Sequence, residues 1–132
     1  RPDIAPGLST VARTIINGQN IEIGRMIQML RTLGEPEANE TGTSMRWMDM
    51  VAESHQMPGI ASDAELEELG RVEGREADEL FVELMTAHHL GGIEMAEFAI
   101  EHADYDEVIK MAAGMASGQR GEIYEMANEL DG

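Results

Sequence analysis

No cysteine occurs anywhere in the 132 residues. That absence excludes a disulfide framework, a thiolate nucleophile and a thiolate metal site together. A soft metal ion could then be held only by Met thioethers and His imidazoles. Such ligands also suit an oxidising compartment, where thiols become disulfides. Aromatic residues are scarce at 4%, so aliphatic side chains and 11 methionines must fill the interior. Basic residues number 9 against 26 acidic ones, a formal net charge of -17. A polyanion repels nucleic acid and anionic lipid surfaces, so neither is an expected partner. No apolar run reaches the length of a membrane span. The chain starts at Arg1 with neither an initiator Met nor a signal-like apolar segment, so the residues themselves do not reveal the compartment.

What is present is helix-forming: Ala, Glu, Leu and Met dominate, which predicts an all-α fold. A chain of this length suits one compact domain. Ser9 is the expected cap of a first long helix, whose apolar periodicity runs to Leu33 before Gly34 and Pro36. "MRWMDMVAESHQ", Met45 to Gln56, reads as a short amphipathic helix closing one end of the core with Trp47. Ser62 and Glu65 have capping-box spacing and open a short acidic helix to about Arg71. A long helix is expected from about Glu76 to His102. A second capping box, Asp104 with Glu107, should open the last helix from about Tyr105 to Leu130. The short link between these two forces an antiparallel hairpin.

An internal repeat organises the chain. Gly18, Gln19, Glu22, Ile23, Met26 and Leu30 recur as Gly118, Gln119, Glu122, Ile123, Met126 and Leu130. Six identities in one phase indicate a duplicated helical-hairpin unit. Residues 1–56 then hold a partial first copy and residues 57–132 a complete second copy, within one compact domain. The helix that would precede the first copy has no counterpart in the chain, and an unpaired apolar stripe is expected to be covered in a homodimer.

At about 100° per residue, Met85, His88, Gly92, Met95 and His102 share one stripe, with His89 at its edge. Met111, Met115, Gln119, Glu122 and Met126 share another. Folding the chain back near Ala103 sets His88 opposite Gln119, Met85 opposite Glu122, Gly92 opposite Met115, and Met95 level with Met111 and Ala112. A structural helix would carry Leu, Ile or Ala at most of these positions. Met29, Met45, Met48 and Met50 read as core filling.

The tract "DELFVELMTAHHLGGIEMA" and the later "MASGQRGEIYEMANEL" closely resemble a bacterial family known as domain of unknown function 305, a ferritin-like helical family. The resemblance implies a ferritin-like bundle and an exported, extracytoplasmic protein. It also implies copper or silver handling through Met85, His88, His89, Met95, Gln119, Glu122 and Met126, which match the family's pattern. His102, Met111 and Met115 join through the register alone.

The chemistry narrows the choices. Imidazole nitrogen with thioether sulfur suits Cu(I) first and Ag(I) next, whereas Zn(II) would prefer His with Glu122. Di-iron catalysis is not expected, because no Glu-x-x-His occurs in the chain. Nor does the chain offer a nucleophile beside a base or a phosphate-cradling glycine loop. The expectation is binding rather than enzymatic activity: a protein that holds or buffers Cu(I) or Ag(I). The alternative is an extracellular interaction or structural module with a polar core and no metal.

Overall fold

The computed structural model describes residues 4–37, 43–44, 48, 52–53 and 59–132. The architecture is an all-α bundle of four helices: α1 (Pro6–Leu33), α2 (Asp63–Arg71), α3 (Gly74–His102) and α4 (Asp106–Asp131). Between α1 and α2, the strands β1 (Thr43–Ser44) and β2 (Ala52–Glu53) form an antiparallel ladder, Thr43 against Glu53 and Ser44 against Ala52. The short helix expected over Met45 to Gln56 is therefore a strand at Ala52–Glu53. Apart from Met48 the rest of it, Trp47 included, lies outside the described residues. Ladder pairing between neighbouring segments replaces a helical pattern only a few turns long, which is too short to hold a helix without tertiary packing.

Helix limits follow from local chemistry. Pro6 starts α1 because proline fixes φ and lacks an N–H that would be unpaired there anyway. The expected cap at Ser9 does not form; the helix begins four residues earlier, after Ala5, which carries no side-chain cap. The Ala5 N–H instead donates to Asp78 Oδ1 at 3.5 Å and ties the start of α1 to α3. At the other end Gly34 turns left-handed (φ 74°), and the Gly34 and Glu35 N–H groups return to the Arg31 and Leu30 carbonyls at 3.2 and 2.9 Å. This is a Schellman ending. The first capping box forms as expected: the Glu65 N–H donates to Ser62 Oγ at 3.2 Å, and the Ser62 N–H to Glu65 Oε2 at 2.7 Å. The second does not. Tyr105, in extended conformation, is the residue before α4, so Asp104 stands one position too early to reach Glu107.

The three-residue link makes α3 and α4 an antiparallel hairpin. Small residues line its seam, where Ala96, Ala112 and Ala116 are buried together and let the two backbones come close. The first helix lies antiparallel to α4. Its amino-terminal half supplies Leu8, Val11 and Ile15 to an apolar core with Val82 and Met126, flanked by Phe81, Met85, Ile123 and Leu130. The carboxy-terminal half of α1 buries nothing completely, and Ile21, Ile23, Met26 and Leu33 remain exposed. Among the described residues, no helix is long and apolar enough to cross a membrane.

The 100-residue offset can be laid over this packing. Val108, Met111 and Met115 stand on α4 where Leu8, Val11 and Ile15 stand on α1. One end of the α1–α4 pair is closed and aliphatic. The other is open and rich in methionine.

Met126 is 0% exposed at the centre of the closed end. Met126→Ala should lower the unfolding free energy by about 2–5 kcal/mol, the usual cost of emptying a buried site of that size. Urea titration followed by circular dichroism measures this, and Ile21→Ala, on the exposed flank of α1, should change little.

Candidate metal centre

The two adjacent histidines point apart because neighbouring helical residues turn by about 100°. His89 faces inward and is 0% exposed, whereas His88 is exposed at the rim; their ring centroids are 6.1 Å apart. This reverses the order expected from the stripe, which placed His88 inside. Both His89 nitrogens are occupied. The Nδ1–H donates to the Met85 carbonyl, one turn back, at 2.9 Å, and Nε2 lies 2.5 Å from Glu122 Oε2. A carbonyl can only accept, so Nδ1 carries a hydrogen, and the ring is held from its other side by the Nε2–Glu122 hydrogen bond.

The register is also displaced. His89, not Met85, meets Glu122, and Gly92, not His88, meets Gln119. Both pairs lie one helical turn from the expected positions. The link spans Ala103 to Tyr105, and α4 starts at Asp106. A Cβ at Gly92 would meet the Gln119 amide, so the glycine lets that side chain lie across the helix where it does. Gln119 Oε1 is buried beside it without a hydrogen-bond partner, an exception to the rule that buried polar atoms are paired.

A cavity of about 540 Å³ opens between α1, α3 and α4. Its wall carries five methionines: Met26 and Met29 from α1, Met95 from α3, and Met111 and Met115 from α4. His88, Gly92 and Gln119 line it as well. Ile60 closes part of the rim. Gly59 makes this possible with a left-handed φ of 85°, because a Cβ there would collide with the Ala87 carbonyl.

The seven residues singled out from the sequence therefore divide into three groups. His88, Met95 and Gln119 line the cavity. His89 and Glu122 form the buried pair. Met85 and Met126 pack in the aliphatic core at the closed end. His102 leaves the inner stripe altogether: it is exposed, stacks on Phe98 with centroids 3.9 Å apart, and bonds the Phe98 carbonyl through Nδ1 at 2.9 Å. Met29, expected as core filling, belongs to the cavity wall, as does Met26. Met26 could have been found from the repeat, which aligns it with Met126. Among the described residues, no group of three or more His, Asp or Glu side chains could hold a metal ion. Met85 and Met126 lie away from the other sulfur groups, so the donor set that fits a soft ion is the cavity's own: thioethers, one imidazole and an unpaired amide oxygen.

Two charges are tuned nearby. Burial pushes the Glu22 carboxyl above its ordinary range, and the neighbouring Glu122 pushes it further, against weaker pulls from Arg25 and His89. Burial, helped by the adjacent His89, holds the His88 imidazole below its usual value, which favours the neutral, metal-competent form.

The family described as domain of unknown function (DUF305) matches residues 2–130. The chain belongs to that family. Among solved structures, a "putative secreted protein DUF305" from Streptomyces coelicolor is 33% identical with a TM-score of 0.80, the match covering 93% of this chain and 72% of that one. A DUF305 fragment from Deinococcus radiodurans is 27% identical with a TM-score of 0.76, covering 96% of this chain and 76% of that one. No curated protein matches the chain.

A carboxyl whose pKa rises on folding stabilises the fold while protonated, and that contribution is lost as pH climbs through the raised value. At neutral pH the Glu22 charge is thus a cost. Glu22→Gln should melt higher than the parent at pH 7, and the difference should shrink as pH falls into and below the ordinary carboxylate range. Melting curves from pH 7 to pH 3 test this; a gap that widens toward acid would reverse the assignment.

Proposed function

We propose that this protein binds Cu(I) or Ag(I) in the methionine-lined cavity and acts as a holding or buffering protein, not an enzyme. The observation that carries the reading is the gathering of five methionines and His88 around one cavity. Thioether and neutral imidazole are the donors that soft monovalent ions prefer, and hard ions are poorly served by them. Met95, Met111 and Met115 supply sulfur from the hairpin, with Met26 and Met29 facing them from α1. His88 supplies nitrogen at the rim. Gln119 offers the oxygen that the fold leaves unpaired. The His89–Glu122 pair positions α3 against α4 and so sets the distance between the sulfur-bearing walls. Zinc is the poorer candidate, because Glu122, its natural oxygen donor, is already engaged.

An extracytoplasmic location supports the same reading. The chain has no thiol to lose to oxidation, and a relative carries a name that includes secretion. One observation favours the competing reading, an interaction module without metal: both nitrogens of the most buried histidine are satisfied within the protein.

Competition titration of Cu(I) against a colorimetric chelator separates the two. Met95→Leu/Met111→Leu/Met115→Leu conserves volume and should stay folded. Its affinity should fall at least tenfold below the parent. Equal affinities, or no stoichiometric binding by the parent, would leave the interaction module standing. Thermal melting with Cu(I) gives an independent check, since an ion that binds only the native state raises the midpoint.

A further inference from the structure

The cavity is far larger than one ion needs, many times the roughly 30 Å³ that liquid water allots to a molecule. The repeat explains the excess. At the closed end, Leu8, Val11 and Ile15 of α1 meet Met126 and Leu130 of α4, and the space between them is filled by Phe81, Val82 and Met85 of α3. At the open end, Val108, Met111 and Met115 of α4 meet Met26 and Leu30 of α1. These are the same positions displaced by 100 residues. Among the described residues, nothing stands in the place of Phe81, Val82 and Met85.

Exposure tells the same story. Met126 is 0% exposed and Ala116 2%, while their counterparts Met26 and Ile16 are 37% and 58% exposed, with Ile23 at 49%. The polar residues repeat the asymmetry. Glu122 has His89 as its partner, whereas Glu22 faces Glu122 and has no imidazole of its own copy beside it. One copy of the repeat has its histidine helix; the other keeps the seat for one.

We propose that the open flank of α1, from Ile16 to Leu33, is the docking site for a partner helix of α3's own pattern. Phe, Val and Met spaced as in Phe81, Val82 and Met85 would enter the open end of the cavity. An imidazole placed as His89 is would reach Glu22, and a glycine placed as Gly92 is would admit Gln19. Met95, Met111 and Met115 remain the opposite wall. The proposal does not rest on the metal reading, because docking needs only apolar burial and the carboxylate–imidazole contact. Both solved relatives also extend beyond their match to this chain by about a quarter of their length, enough for such a helix.

The probe is a synthetic peptide with the sequence of residues 74–102, dye-labelled and titrated into the intact protein by fluorescence anisotropy. Saturable one-to-one binding is expected. Ile16→Lys/Ile23→Lys in the protein should weaken it at least tenfold, with circular dichroism showing that the helices persist, since both side chains are exposed. A peptide carrying His89→Ala should bind several-fold less tightly to the parent but no differently to a Glu22→Gln protein. Absence of saturable binding would overturn the proposal. So would affinity that ignores the two lysines, which would mean that the peptide displaces the resident α3. Sedimentation of the protein alone gives the third arm: a dimer dissolved by the same lysines would show that a second copy covers this face instead.

Discussion

The bond between His89 and Glu122 is the constraint on which the rest of the hairpin depends. It crosses the α3–α4 interface at full burial on the histidine side, where an unmet polar group would be costly. A slipped register cannot match this hydrogen bond, because a shift of one turn would set an imidazole against aliphatic or amide groups. The Met85 carbonyl holds the ring from behind and leaves it a single orientation. With that bond made, Gly92 comes level with Gln119, and the alanine seam of Ala96, Ala112 and Ala116 falls into place beyond it.

From this clasp two different environments follow along the same pair of helices. Toward the closed end the α3 side chains are bulky and aliphatic, and α1 seals them with Leu8, Val11 and Ile15. Toward the open end the seam is made of small residues, and space remains that methionines line without filling. Methionine is suited to such a wall because its unbranched thioether adapts to irregular space and stays polarizable. At an offset of 100 residues, Val11 and Ile15 correspond to Met111 and Met115. The change replaces a packed aliphatic core with a wall of thioethers around open space.

Much of this was legible in the residues, and the failures have physical causes. Gly34 and the Ser62–Glu65 box mark helix ends because each acts through its own backbone, and the structure keeps both. The hairpin was legible from its short link. Its register was not: folding back at Ala103 misses the observed pairs His89–Glu122 and Gly92–Gln119 by one turn, a long-range match that no local signal encodes. Met111 and Met115 emerged from periodicity on one helix. Met29 did not, because it reaches the cavity only through the antiparallel approach of α1, and Met26 carried only the indirect signal of its match to Met126.

The three-residue link between α3 and α4 has a kinetic consequence as well. Contacts across the hairpin close short loops, so they are entropically cheap and form early, whereas Leu8 meets Met126 only by closing nearly the whole chain. The hairpin is therefore the part that assembles first, and α1 is the last element to settle. The second half of α1 buries no side chain completely, so the methionine-lined chamber is bounded on that side by the stretch of α1 least tied to the scaffold, while Leu8, Val11 and Ile15 anchor the first half.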